Sequence, residues 1–208
     1  MSSAFPSLQP EHKWRAVAWG YVVFAAGYTL TGSVHFREPQ PLPLLAIDRL
    51  IPFIPWTMIV YQSQFLFLFV CFWLHHQSQT ITRTFHRMAV ACAISFTTFL
   101  IFPTIFPRTY PDPQGWLAGM YQTLHAIDAP TNCFPSLHVA LAFLAALGVM
   151  EEHGWRATWT LVWALAITLS TLTTKQHYAV DLAGGFLAVL VAVGVVKGLK
   201  GHKGHKGT

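Results

Sequence analysis

Polar and apolar positions along this chain do not alternate over short periods; they separate into long blocks. Leaving histidine aside, charge-free stretches run over residues 16–36, 50–82, 88–107, 129–150 and 157–174, and a sixth at 178–196 carries one charge, Asp181, near its start. A helix needs about 20 predominantly apolar residues to cross the hydrocarbon core, so each block has the length for one crossing. The block 50–82 is long enough to suggest two, but Pro52 and Pro55 fall near its beginning. Proline disfavours a helix interior and the residue before it, which places that helix from near Trp56 to near Leu74. The blocks predict an all-α protein: a single domain over 1–208, built as a polytopic bundle of six transmembrane helices.

Composition narrows the alternatives. Hydrophobic residues make up 53% and charged residues 10%, against roughly 25% charged in an ordinary globular chain. So little charge cannot solvate the surface of a soluble protein of this size, and disorder needs the reverse, low hydrophobicity with high charge. The net charge of +5 does not point to nucleic acid, because the cations stand between apolar blocks rather than on one polar face. With six crossings, Lys13, Arg15, Arg83, Arg87, Arg156, Lys197, Lys200, Lys203 and Lys206 share a side with both termini, and only Arg37, Arg49, Arg108 and Lys175 lie opposite. That asymmetry assigns the termini to the cytoplasm. The first block has no small-residue cleavage site after it and reads as a retained anchor. Cys71, Cys92 and Cys133 form no disulfide framework and are read as free thiols.

Two long connections interrupt the blocks. Residues 37–55 hold five prolines and the Asp48-Arg49 pair, the pattern of a short amphipathic or re-entrant element at the interface. Residues 108–128 form a loop rich in Pro, Gly and aromatics, and connections of that length are often functional. The tail 197–208 repeats Gly-His-Lys and reads as a solvated basic segment. His35, His75 and His76 read as satisfied polar residues at the membrane boundary.

The chemistry-bearing residues gather at the non-cytoplasmic ends of the later blocks: Arg108 after the third, Ser136 and His138 at the start of the fourth, Ser170, Thr171 and Lys175 at the end of the fifth, His177 and Asp181 at the start of the sixth. His177 and Asp181, four apart on a helix, share one face. The carboxylate can fix the imidazole tautomer and leave the other ring nitrogen as a nucleophile. Pro135 suits the first helical position, which places Ser136, Leu137 and His138 in an opening turn whose amides, with the Ser136 hydroxyl, suit a phosphate. Arg108 and Lys175 supply cations for a pentacoordinate phosphoryl group, and His138 can protonate a leaving oxygen. An acid inside a span is costly and therefore a functional candidate. A purely structural His–Asp hydrogen bond is the plain alternative. Zinc held by His138, His177 and Asp181 is another, although no compact ligand motif is present and the nearby cations would repel a metal. Small residues at Gly184, Ala188 and Ala192, and at Ala142 and Ala146 on the face of His138, allow the fourth and sixth helices to approach closely.

These residues resemble the type 2 phosphatidic acid phosphatase superfamily, whose motifs read K-x6-R-P, P-S-G-H and S-R-x5-H-x3-D. The second is similar to Pro135-Ser136-Leu137-His138, the third to Ser170-Thr171 followed by His177 and Asp181, and the first is reduced to Arg108. Ile101 stands in place of the family's Lys, Thr109 of its Pro and Thr171 of its Arg, with Lys175 as a replacement cation. The likeness covers roughly 101–185. The forms Phe-Pro-Ser-Leu-His and Lys-Gln-His-Tyr-x-x-Asp look closer to the branch that includes inositol phosphorylceramide synthases. The resemblance implies six spans and a two-step phosphoryl transfer without metal or cofactor. His177, oriented by Asp181, attacks the phosphorus of a lipid phosphate while His138 protonates the leaving oxygen; water or an acceptor hydroxyl then attacks the phosphohistidine with His138 as base. Arg108, Ser136, Lys175, Ser170 and Thr171 would hold the phosphoryl charge. The expected function is a lipid phosphate phosphatase, with a lipid phosphotransferase and a non-catalytic phospholipid-binding membrane protein as alternatives.

Overall fold

The computed structural model describes residues 7–106, 113–128 and 130–201. A 3₁₀ turn at Pro10–His12 opens α1 (Lys13–Ser33). β1 (Gln40–Pro41) and the short α2 (Ala46–Leu50) lead to α3 (Met58–Leu74). Then come α4 (Ser78–Ile101), β2 (Thr104–Ile105), α5 (Trp116–Ile127), α6 (Leu137–His153), α7 (Thr158–Thr173) and α8 (Ala179–Gly201). The fold is all-α, interrupted among the described residues by the parallel pairing of β1 with β2, Gln40 opposite Thr104 and Pro41 opposite Ile105, and by a single parallel bridge from Thr104 to Asn132.

Six of the helices fall on the six apolar blocks. Among the described residues, three segments, Pro55–Leu74, Ser78–Ile101 and Ala179–Leu199, are by length and composition long and apolar enough to cross a membrane. α6 and α7 are shorter, at 17 and 16 residues. The outward surface is apolar: Trp19, Val23, Leu66, Leu169 and Leu190 are all exposed, while Gln64, Ser95, Thr160 and Thr168 are buried. That inversion is what a hydrocarbon surround requires of a helix bundle.

α6 is the central helix. One of its faces packs Leu137, Leu141, Ala142, Ala145 and Ala146 with Phe67 and Cys71 of α3 and Ala164 and Ile167 of α7. Another packs Ala140 and Leu144 against Ala188, Val189 and Ala192 of α8 and Ala91 of α4. The small-residue stripe on α8 thus meets α6, but through Ala140 and Leu144. Ala142 and Ala146 face α3 and α7, because one step of the helix turns a side chain by about 100° and the two pairs sit on different faces.

Three local expectations need correction. α4 starts at Ser78, ten residues before the charge-free block at 88. Arg83 and Arg87 sit inside the helix because both pair with Glu151 of α6, at 3.0 and 2.7 Å, so charge-counting locates an apolar run but not a helix end. The connection 108–128 is not loop throughout, since α5 occupies Trp116–Ile127 and buries Tyr121 and Leu124 against Met58 and Tyr61. And Pro135 precedes α6, with Ser136 as its N-cap and Leu137 as its first helical residue. All three cysteines are free thiols.

Candidate active site

The opening of α6 and the α7–α8 turn are brought together by glycine. A Cβ on Gly184 would lie 2.5 Å from the Phe134 ring, and one on Gly185 would lie 2.7 Å from the Ser136 carbonyl oxygen. Only glycine at these places lets the first turns of α6 and α8 touch. The contact is fixed by the Ser136 N–H, which donates to the Asp181 carbonyl at 3.1 Å. On the other side, the Phe134 N–H donates to Thr104 Oγ1 at 3.2 Å, so the β1–β2 pairing supports the same turn.

His177 is 7% exposed and Asp181 fully buried. His177 Nδ1 lies 3.1 Å from Asp181 Oδ2, and the same oxygen accepts from the Tyr178 N–H at 2.9 Å. One carboxylate oxygen therefore caps the start of α8 and orients the imidazole together. Thr171 holds the backbone before it, its carbonyl accepting from the N–H groups of Gln176 and His177 at 3.0 and 3.2 Å. The His138 ring stands edge-on to the His177 ring, centroids 5.8 Å apart, and stacks on Tyr61 of α3 at 4.3 Å. The arrangement sets two imidazoles side by side, the first tethered through Nδ1 and the second backed by an aromatic plane.

The remaining candidates are placed as follows. Ser136 is buried at the α6 N-cap, and its Oγ accepts from the Val139 N–H at 3.5 Å. The Ser170 and Thr171 hydroxyls are buried and donate back to Ile167 and Thr168 carbonyls at 2.6 and 2.7 Å. Lys175 occupies a left-handed turn position, φ 55°, and its ammonium donates to the Ile51 and Asp48 carbonyls at 2.6 and 3.0 Å. Burial lowers the Lys175 pKa, against the opposing charge of Asp48. The structure thus turns Lys175 to α2 and does not bring it into the His138–His177 pair. Arg108 lies outside the described residues.

Several groups at the site carried no sequence signal. Tyr61 belongs to a mostly apolar helix and is not spaced with any other site residue. Tyr28 of α1 donates from its hydroxyl to Asp128 Oδ1, and Asn132 Nδ2 donates to the Tyr28 carbonyl at 2.8 Å. Tyr28, Tyr61, Asp128, Asn132 and Gln176 line a cavity of about 10 Å³ beside His177, room for roughly one water. Asp48 anchors α2 to the site, accepting from the Ala179 N–H at 2.7 Å and the Leu45 N–H at 2.9 Å. Its neighbours Leu45, Ile47 and Leu50 are exposed, as an element lying against lipid would have them.

The sequence profile of the PAP2 superfamily matches residues 44–195, from before α2 through most of α8. The chain belongs to the PAP2 superfamily. Phosphoryl transfer of the phosphatase type is the chemistry that membership brings, carried in the superfamily by phosphatases or phosphotransferases. In this PAP2 chain the match contains every described residue of the site except Tyr28, and it leaves α1 outside. No curated protein and no solved structure matches the chain.

Proposed function

We propose that this PAP2 chain is a metal-independent lipid phosphate phosphatase that works through a phosphohistidine. The observation that carries the reading is the pair of facing imidazoles, one tethered to a fully buried carboxylate. With Nδ1 of His177 held by Asp181, Nε2 keeps the lone pair and attacks phosphorus. The bond to the leaving lipid oxygen breaks as His138 delivers its proton. His138, now neutral, takes a proton from the water that attacks the phosphohistidine; the phosphorus–Nε2 bond breaks, its electron pair returns to His177 and phosphate leaves, and the cavity beside His177 has room for that water. Arg108, the Ser136 hydroxyl and the first turn of α6 hold the phosphoryl oxygens, with Ser170 and Thr171 behind them. Lys175 contributes its charge from the α2 contact or on release from it. All six long helices cross the membrane in this reading. The end bearing Lys13, Arg83, Arg87 and Arg156 faces the cytoplasm and the histidine pair opens on the other side.

A transferase reading has one observation in its favour. Asp48 and Lys175 tie α2 to the α7–α8 turn, and such a cover would keep water from a phosphohistidine until a lipid hydroxyl arrived. The test is a panel of phosphatidic acid, phosphatidylglycerol phosphate and polyprenyl pyrophosphate presented in detergent with excess EDTA. Release of inorganic phosphate from at least one, blocked by vanadate, is expected. Product formed only when a head-group donor and a lipid alcohol are both present would replace hydrolysis with transfer. Binding without turnover under either condition would leave a phospholipid-binding protein.

A further inference from the structure

Between α1, α3 and α4 runs an apolar groove of about 760 Å³ that ends on His138. Its walls extend from Thr29 to Val17 on α1, from Tyr61 to Phe72 on α3 and from Phe96 to Phe85 on α4. The α1 wall covers twelve residue steps and the other two eleven, or about 16–18 Å at 1.5 Å per residue. That is roughly the depth of one leaflet, half of an approximately 30 Å hydrocarbon core. On the α1–α4 side the groove is closed by contact without a gap, since a Cβ on Gly27 would meet the Phe96 ring at 2.6 Å and one on Gly20 the Phe85 ring at 3.1 Å. At the far end Trp14 stacks on Phe69, ring centroids 5.0 Å apart.

Besides the tyrosines and His138, the lining carries the polar side chains of Thr29, Gln62, Gln64 and Asp128, and Gln64 stands out among them. Gln64 sits three residues beyond Tyr61, about 4.5 Å further along α3. It is 4% exposed, and neither its amide nitrogen nor its amide oxygen has a hydrogen-bond partner. A carboxamide with both ends unpaired, at a depth where no bulk water competes, is destabilising unless something else completes it. A ligand lying in the groove with its phosphate at the histidine pair would place the first atoms beyond that phosphate at the level of Gln64.

We propose that this groove holds an acyl chain of the lipid phosphate and that Gln64 hydrogen-bonds the ester or amide linkage joining that chain to the phosphate-bearing head. The proposal rests on the phosphatase reading for where the phosphate lies. It makes the substrate an acyl lipid. A polyprenyl phosphate has an equally apolar tail but no oxygen or nitrogen beyond its phosphate groups, and it would leave Gln64 unpaired. Since α1 lies outside the matched residues 44–195, one wall of this tail site is supplied by a helix that the superfamily profile does not include.

Two readouts on the purified full chain keep the tail site separate from the chemistry. The first is photolabelling by phosphatidic acid with a diazirine at the end of one acyl chain, which needs no turnover. Adducts are expected on α1, α3 and α4 near Val17, Phe72 and Phe85. They should fall at least fivefold in Ala93→Trp, which fills the groove from an exposed alanine in its lining. The second is phosphate release from long-chain diacyl, dialkyl-ether and dibutyryl phosphatidic acids. Ala93→Trp should lose at least tenfold in kcat/KM on the long-chain substrate and stay within twofold on the dibutyryl one. Gln64→Leu should lose about fivefold or more on the diacyl substrate and almost nothing on the ether. Labelling spread evenly over the lipid-facing helices and unchanged by Ala93→Trp would mean bulk lipid and would overturn the tail site. Equal losses on diacyl and ether substrates would overturn the role of Gln64, as would polyprenyl phosphate turned over as well as the diacyl lipid. A chain labelled in the groove yet releasing no phosphate would keep the tail site and remove the phosphatase reading.

Discussion

A histidine–carboxylate pair stands at each end of α6, and in both the ring Nδ1 lies 3.1 Å from a carboxylate oxygen. At the start of α6 the pair is His177 with Asp181; at its end it is His75 with Glu152. In each the carboxylate also accepts backbone N–H groups, from Tyr178 in the first and from His76 and Gln77 in the second. The difference lies on the far side of each ring. His177 faces a second imidazole and borders a water-sized cavity. His75 is fully buried with its Nε2 unpaired and pressed toward α6, where a Cβ on Gly148 would come within 3.0 Å of it. The Lys13 ammonium closes over the His75 carbonyl at 2.7 Å. A tethered imidazole is therefore not in itself a nucleophile; it needs space at the other nitrogen for a phosphorus atom and a proton donor within reach. His75 and Glu152 instead fasten the α3–α4 turn to the end of α6.

Mutation should separate the two ends by orders of magnitude. His177→Ala is expected to remove phosphate release down to background, since no neighbouring group can take over the bond to phosphorus. His138→Ala is expected to lose about 10²–10⁴-fold in kcat, the usual worth of a general acid–base residue. Initial rates on the responsive lipid phosphate check both, and wild-type activity in His177→Ala would remove the phosphohistidine from the mechanism.

At the other end the same change should act on stability alone. His75→Ala strips one partner from Glu152, whose side chain is 4% exposed, and opens a space under α6. The expected cost is about 1–3 kcal/mol, read as a lower unfolding midpoint in detergent with turnover per folded molecule unchanged. A His75→Ala protein that kept its midpoint but lost activity would place the second pair in the chemistry and collapse the contrast.

How far each end could be read from sequence follows from the reach of its signals. His177 and Asp181 are four apart, and Ser136 and His138 two apart, so local spacing exposes them. The six long helices stand out because each falls on a long apolar run. Tyr61, Asp128 and Tyr28 reach the site only through packing of α1, α3 and α5, and nothing in their neighbourhoods marks them. α5 is hidden for a similar reason: twelve residues with Gly and polar neighbours resemble a loop until Tyr121 and Leu124 are seen buried on α3. His75 is the instructive failure. It stands at the end of a span and reads as an interfacial residue, yet it is fully buried because its partner lies 77 residues away.

The smallest expected effect, and the one that tests His75 most directly, is on pH. Burial holds His75 below its ordinary value of 6.5; the hydrogen bond and charge of Glu152 pull upward against it, while Lys13 and His153 add to the lowering. The unfolded chain therefore takes up this proton at a higher pH than the folded chain does. The stability contributed by the neutral ring is complete above about 6.5 and is lost as the pH falls from there toward the lowered value, by at most about 1.4 kcal/mol per pH unit. Glu152 is shifted in the same direction, for a different reason. Its burial is outweighed by the bonds from His76, His75 and Gln77, so its carboxyl is held below the ordinary 4.5, and its share of stability is lost only in a separate, more acidic window. Between about pH 7.5 and 5.5 the His75 term stands apart from it. The unfolding midpoint of the wild type should fall across that range more steeply than that of His75→Gln, which keeps a hydrogen-bonding side chain but cannot take the proton. Groups common to both proteins drop out of the difference. Parallel curves would mean that the buried ring at this end is not what acid acts on.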